Sequence, residues 1–456
     1  MPSIASDAAI RTAHTHLLAG RFAAALAVIA PQRNGSAGEL LYALALAGSG
    51  EVQAAAPLLA RIAATNPASR HPVLDLIPLI PSSAAPAHLR AAAPLRPLDP
   101  ALPTALGTIL AENGPMPAAV DAFAQATALA PGDAAAWSNL GKSLAAEARF
   151  DEADAAFATA RGLAPADPRI AYNHATVLLK SGRFAAGWTA LAARHALPGR
   201  PAPFRGPRLT DLDVAGQKIL LRHDEGFGDT LQFIRYAEPL AARGARVVAA
   251  VPSALLRIVA TAEGVAETIA LTTTPRFDRW APLLDVPALF GDEIPANVPY
   301  LRAESAAPTL PPGRRIGMVW AGDPRGLLDR QRSLPVATLE PLRSVPGICW
   351  FSLQKDAAPP AWMHDPMRAV RDFADTAAIV AQLDLVISVD TAVAHLAAAL
   401  GKPVWLLDRY DACWRWLTGR TDSPWYPTLQ IIRQSTPGDW PGVIASVVDR
   451  LSSERS

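Results

Sequence analysis

Three consecutive blocks of the chain, beginning at Asp99, Asp133 and Asp167, repeat one pattern at a spacing of 34 residues. Leu106 and Leu140 fall at equal positions, as do Gly107, Gly141 and Ala175; Ala119, Ala153 and Gly187; Phe123 and Phe157; Ala126 and Ala160; Pro131 and Pro165. A block of this length holds two short helices and a turn, and neither helix can bury its apolar face alone. Small residues at two fixed places let paired helices approach, the aromatic fills the gap between them, and the proline stops the chain before the next block. Residues 99–200 are therefore expected to form helical hairpins that stack.

The pattern resembles the tetratricopeptide repeat, with Trp137 and Tyr172 near its first-helix aromatic positions. Upstream, HLLAGRFAAALAVI and LALAGSGEVQAAAPLLARIAATNP show helix, glycine turn and helix without keeping register, so residues 1–98 read as degenerate helical repeats. The proline-rich stretch from His71 to Pro97 reads as a divergent repeat or a joint. Stacked repeats leave a concave groove that commonly binds peptide, and a protein partner is the favoured reading. The competing reading is a packing or dimerisation element, which leaves a homo-oligomer open.

At 456 residues the chain exceeds a single core, and half of it is apolar. Charged residues make up 18% and the net charge is +1, so no broad field favours nucleic acid or an anionic membrane. The start, MPSIASDAAIRTAH, lacks a basic segment followed by an apolar one, and no apolar run approaches a membrane span. The expectation is a soluble cytoplasmic protein. Cys349 and Cys413 have no spacing that suggests a zinc site or a disulfide framework, and read as buried or incidental thiols.

After Pro198 the periodicity changes. PGRPAPFRGPRL reads as a linker, taken as 201–213, and short β-branched runs then alternate with helical stretches, as in parallel α/β units. QKILLRH, ARVVAAV and AETIAL are candidate strands of a first domain, 214–310, with a helix from Asp229 to Arg243. RIGMVWAG, ICWFSLQ, RAVRDF, DLVISVD and KPVWLL are candidate strands of a second, 311–456. The expected fold class is thus an N-terminal α-solenoid followed by two Rossmann-like α/β domains. In such sheets ligands bind beyond the carboxyl ends of the strands.

Two strand ends carry chemistry. In LLRHDEGFGDTLQF, Gly226 and Gly228 precede Asp229 at the mouth of a helix, where glycines let the backbone turn and approach a ligand. Taken alone, Asp229 reads first as a helix cap. In DLVISVDTAVAHLAAALGKPVWLL, Asp390 and Thr391 stand at a strand-to-helix turn, with His395 one helical turn beyond. Thr391 and the helix N-terminus could hold a diphosphate. The plainer alternative makes Asp390 a cap and His395 a satisfied core histidine. Trp414, Trp416, Trp425 and Trp440 could stack on a base or sugar, but read first as packing.

Together with VWAGDPRGLLDRQRSLP, FSLQKD, DFADTAAIVAQL and the tail WRWLTGRTDSPWYPTLQIIRQ, these segments resemble the heptosyltransferase-like glycosyltransferases, in the form fused to tetratricopeptide repeats in bacteria. The resemblance covers roughly Lys218 to Leu451 and implies a GT-B fold, with 214–310 as the acceptor domain and 311–456 as the nucleotide-sugar domain. It implies Asp229 as the base that deprotonates an acceptor hydroxyl. It implies Asp390, Thr391 and His395 as holders of the donor diphosphate, and Arg332 and Lys355 as cationic ligands. It also implies inverting transfer with no metal and no cofactor other than the nucleotide-sugar itself, the departing charge being met by positive side chains and a helix N-terminus. Members with this layout are associated with protein glycosylation, flagellin being one kind of acceptor. Asp323, Leu327, Leu328 and Glu225 depart from the family pattern, and extra carboxylates beside a diphosphate would repel it.

The leading expectation is a glycosyltransferase that moves a sugar to a hydroxyl of a protein recruited by the repeats. The alternative is a catalytically inactive scaffold that binds a partner through those repeats. A nicotinamide-dependent oxidoreductase is disfavoured, because HDEGFGD is crowded with acids and lacks the full dinucleotide fingerprint.

Overall fold

The computed structural model describes residues 4–33, 36–65, 73–77, 85–200, 204–304, 309–326, 329–355 and 357–454. The chain divides into two compact units, Met1–Ala166 and Asp167–Ser456.

The first unit is helical. Ile4–Leu18 pairs with Phe22–Ile29, Ser36–Gly48 with Val52–Thr65, Ala101–Asn113 with Met116–Leu129, and Ala134–Ala146 with Phe150–Leu163. The short helices Val73–Leu76 and Ala85–Ala92 fall inside the proline-rich stretch, part of which lies outside the described residues. The repeated small residues have the role their spacing suggests. A Cβ added at Gly107 would lie 2.9 Å from the Phe123 ring, and one at Gly141 would lie 2.8 Å from the Phe157 ring. Both rings are buried in the gap between their helices. Two of the recurring aspartates are N-caps, Asp133 Oδ1 accepting from the Ala135 amide at 2.9 Å and Asp167 Oδ1 from the Arg169 amide at 2.9 Å, while Asp99, one residue before the N-cap Pro100, accepts from the Ala101 amide at 3.0 Å.

The second unit opens with the third repeat, helices Pro168–Lys180 and Phe184–Leu191 followed by the 3-10 turn Ala192–Ala196. Periodicity places this block with the array, yet its compactness lies with the α/β residues. The reason is aromatic. Trp188 meets Trp414, Phe233 and Trp425 edge-on, with ring centroids 5.3, 5.7 and 6.0 Å away, and Phe184 meets Trp425 at 5.8 Å. Buried aromatic contact of this extent favours one shared core. Residues 204–213 are not a free linker either. Leu209 N–H donates to the Trp280 carbonyl at 2.8 Å, and the Phe204 ring abuts Trp280 at 5.0 Å.

Two all-parallel sheets follow. The first has order β3-β2-β1-β4, from Lys218–Arg222 (β1), Arg246–Val251 (β2), Val265–Ala270 (β3) and Arg279–Pro282 (β4). The second has order β6-β5-β7-β8-β9, from Arg314–Val319 (β5), Ile348–Ser352 (β6), Leu385–Val389 (β7), Val404–Asp408 (β8) and Leu429–Arg433 (β9). Every residue of β7 and β8 is buried, as expected where helices cover both faces of a parallel sheet. Two parallel α/β domains in series are consistent with a GT-B-like fold.

The expected helix from Asp229 to Arg243 is helical throughout but divided, as Phe227–Phe233, a 3-10 turn at Ile234–Tyr236, and Ala237–Ala242. RAVRDF is not a strand. Pro366–Ala369 is a 3-10 turn, and Asp372 caps the helix Phe373–Val380 by accepting from the Ala374 and Asp375 amides. Its arginines are paired locally, Arg371 with Asp375 and Arg368 with Asp365, and Asp372 meets Arg257 at 3.0 Å.

Candidate functional site

Strand order fixes where a site can form. In the first sheet the order reverses between β1 and β4, and in the second between β5 and β7, so each sheet has a crevice at the carboxyl ends of those strands. The loop after β1 carries Gly226, Gly228 and Asp229, and the turn after β7 carries Asp390 and Thr391.

Asp229 stands in the first turn of Phe227–Phe233. Its Oδ2 accepts from the Gly226 amide at 2.8 Å, so the capping role is filled. Its Oδ1 is paired with Nη2 of Arg415, a partner 186 residues away. Arg415 is held in turn by Gln232 Oε1 at 3.0 Å and Cys413 Sγ at 3.3 Å, with its guanidinium 4.0 Å over the Trp414 ring. Burial opposes the charge of Arg415, but Asp229 foremost outweighs it and holds the guanidinium firmly protonated.

Gly228 has a steric task. A Cβ there would lie 3.0 Å from His395 Cδ2, so the loop after β1 and the helix after β7 meet closely at this glycine and a side chain there would press on the ring. The acids just before the loop are restrained. Arg194, 1% exposed at the end of the third repeat, reaches Asp224 at 2.6 Å, Asp285 at 2.5 Å and Glu225 at 3.4 Å, and Arg200 meets Glu225 at 2.7 Å. Burial pushes the Asp224 and Glu225 carboxyls up, and the arginines only partly offset it. Asp285 goes the other way: burial raises it, but His195 and Arg194 hold it down at about 2.

On the other side, Thr391 rather than Asp390 is the N-cap of the helix Ala392–Ala399, and its hydroxyl makes no capping bond. It meets the buried Ser388 hydroxyl at 3.0 Å instead. Arg332 Nη1 donates to the Asp390 carbonyl at 3.2 Å, and its Nε faces Asp329 at 3.2 Å. His395 is buried, 5.1 Å from the Trp416 ring in a stacked arrangement, with Nδ1 3.0 Å from the Tyr426 hydroxyl and Nε2 4.0 Å from Asp390. Burial, helped by Arg415, drives its pKa down to about 3, so the ring is neutral. A neutral imidazole can offer one N–H as donor without adding charge.

The structure therefore gathers Asp229, Gly228, Arg332, Asp390, Thr391 and His395 at adjoining strand ends, with Gly226 as the amide that anchors Asp229. Lys355 is not part of the group. It is exposed in the loop after β6, and no described contact joins its ammonium to the others. Asp323 has its carboxylate paired with Arg325 at 2.7 Å, which holds its pKa down at about 2. Leu327 and Leu328 lie outside the described residues.

Sequence reasoning missed Arg415 and Arg194. Arg415 stands in the tail WRWLTGR, a segment noted for resemblance, but no local spacing ties it to Asp229. Of the tail tryptophans, Trp416 and Trp425 are fully buried and Trp440 nearly so, as packing requires, while Trp414 is partly buried. Cys349 and Cys413 are free thiols and only partly buried. No described helix is long and apolar enough to cross a membrane.

Residues 371–407, which include Asp390, Thr391 and His395, match the family model described as glycosyltransferase family 9 (heptosyltransferase). The chain is 26% identical over 327 residues to protein FlbA of Caulobacter vibrioides, across 61% of this chain and 54% of that protein, so it spans about half the length of that relative. Among solved structures, MamA (41-end) from Desulfovibrio magneticus RS-1 aligns at 16% identity over 37% of this chain and 99% of its own, with a TM-score of 0.26. Cut9–Hcn1, the APC/C hetero-tetramer, aligns at 20% identity over 43% of this chain and 41% of its own, with a TM-score of 0.28. Superpositions this loose carry no weight, and the architecture stands on its own elements. The chain is similar to proteins that join tetratricopeptide repeats to a heptosyltransferase-like domain.

Proposed function

We propose that the C-terminal unit transfers a sugar from a nucleotide-sugar to an acceptor hydroxyl, with inversion and without a metal. The supporting observation is the meeting of two strand ends: the loop bearing Asp229 touches the helix bearing His395 through Gly228, beside Thr391 and Asp390. One side offers a carboxylate, and the other offers a helix N-terminus whose Thr391 hydroxyl makes no capping bond, with Arg332 nearby.

In the reaction the acceptor hydroxyl gives its proton to Asp229, and its oxygen attacks the anomeric carbon from the face opposite the phosphate. The bond from that carbon to the phosphate oxygen breaks, and the electron pair leaves with the nucleoside diphosphate. Arg332, the Thr391 hydroxyl and the first amides of Ala392–Ala399 meet the charge that develops, and preorganised donors of this kind are the usual source of such stabilisation. His395, neutral and fixed by Trp416 and Tyr426, offers an N–H and adds no repulsion for a second phosphate. Retaining a neutral donor there also leaves the arginines as the cations of the site.

The acceptor is proposed to be a protein, flagellin being one candidate, recruited by the helical repeats. The test is release of nucleotide from UDP-, GDP-, ADP- and CMP-sugars by the full chain in the presence of chelator, with and without candidate acceptor proteins. One donor should turn over with its acceptor and Asp229→Asn should abolish turnover. No binding of any donor by folded protein would instead favour the inactive scaffold.

A further inference from the structure

Within the proposed site the base is not free. Asp229 has two oxygens, and both are engaged: one by the Gly226 amide and the other by Arg415. An acceptor hydroxyl has to compete with both partners for those oxygens. Arg415 is equally placed toward the other half of the site. Trp416, the next residue, stacks on the His395 ring at 5.1 Å, so the turn that carries the cation borders both the candidate base and the candidate diphosphate holders. The 3-10 turn Trp414–Trp416 that carries it is anchored by Trp425 Nε1, which donates to the Arg415 carbonyl at 2.9 Å. The backbone is thus fixed and the side chain alone has to move.

We propose, resting on the donor-site reading above, that Arg415 is a further donor-binding residue for which the diphosphate competes with Asp229. A diphosphate beside Thr391 draws the guanidinium away from the carboxylate. Asp229 then accepts the acceptor proton, and Arg415 meets the electron pair that leaves with the phosphate. Base activation is thereby tied to donor occupancy. Gln232 and Cys413 steer the guanidinium between its two partners, and the Trp414 face supports it in transit.

The two roles predict effects of opposite sign, which a purely structural ion pair would not give. Calorimetry on the full chain measures the affinity for the nucleoside diphosphate of whichever donor binds. Asp229→Asn keeps an oxygen for the Gly226 amide but removes the charge that competes for Arg415, so affinity should rise about tenfold. Arg415→Gln should lower affinity by roughly ten- to a hundredfold, the usual range for a charged hydrogen bond. The double variant should match Arg415→Gln, because Asp229 then has nothing to release. If Arg415→Gln does not fold, Arg415→Lys, which keeps the charge but loses the fork, should fall between, and the Asp229→Asn result stands without it. Unchanged or weaker binding by Asp229→Asn, in a protein that binds the nucleotide, overturns the exchange while leaving the donor site intact. Absence of nucleotide binding by the unaltered chain overturns the donor-site reading and the exchange with it.

Discussion

Replacing Arg194 by methionine removes one cation from among three carboxylates, and the structure says which of them suffers. Asp285 keeps His195 at 2.9 Å and Arg208, and Glu225 keeps Arg200 at 2.7 Å. Asp224, with its side chain 19% exposed, has no other cation paired with it among the described residues. Breaking a buried pair on one side costs about 3–5 kcal/mol, and partial exposure of Asp224 places this case near the lower end, about 3 kcal/mol. Asp224 already has a pKa raised by burial, and without Arg194 it rises further. A carboxyl raised on folding contributes stability below its unfolded value and loses it as pH climbs through the folded value. The deficit of Arg194→Met should therefore be full at neutral pH and shrink as pH falls through the carboxylate range. Asp224→Asn in the same chain should restore much of it. Urea denaturation followed by tryptophan fluorescence reads the right unit, since every tryptophan but Trp137 lies after Asp167. A loss independent of pH, or one not relieved by Asp224→Asn, would refute the reasoning.

Gly228→Ala places a methyl 3.0 Å from His395 Cδ2, and His395 is wedged against Trp416, so a loss of about 1–3 kcal/mol is expected in the same denaturation assay. Trp188→Ala should cost about 3–5 kcal/mol by emptying the aromatic core that holds the third repeat, seen as a lower urea midpoint. The imidazole of His395 is held near pKa 3 while the unfolded chain protonates near 6.5, so its contribution to stability is present above about 6.5 and is lost as pH falls toward 3. His395→Phe should flatten that part of the pH–stability curve. Arg332→Ala should weaken nucleotide-sugar binding roughly tenfold by calorimetry, through loss of a charged contact to phosphate.

What the sequence disclosed and what it hid follow from range. Gly107 with Phe123 and Gly141 with Phe157 are contacts within one repeat, so a period of 34 exposes them. The strands of apolar runs, such as Leu385–Val389, declare themselves because both faces are buried. Arg279–Pro282 and Leu429–Arg433 do not show as strands in sequence, since each mixes polar residues or a proline into a short run. RAVRDF reads as a strand by its valine and phenylalanine, yet Asp372 capping a helix prevails. At the site, Asp229 and Asp390 to His395 sit beside glycine or helix signals that a local pattern can show. Arg415 reaches Asp229 across 186 residues and Arg194 reaches Asp224 across 30, and no local pattern encodes either. The packing of the third repeat with the α/β unit was hidden for the same reason, because Trp188 finds Trp414 and Trp425 only after folding.

The most direct test of the proposed donor site is hydrogen–deuterium exchange of the full chain with and without a saturating nucleotide-sugar, in the presence of chelator. Slower exchange should appear in 388–396, 322–333 and 411–416, where Thr391, Arg332 and Arg415 stand. The groove between Ala337–Pro341 and Pro441–Asp449 should be unaffected. Protection at that groove, with none at the end of β7, would contradict the account.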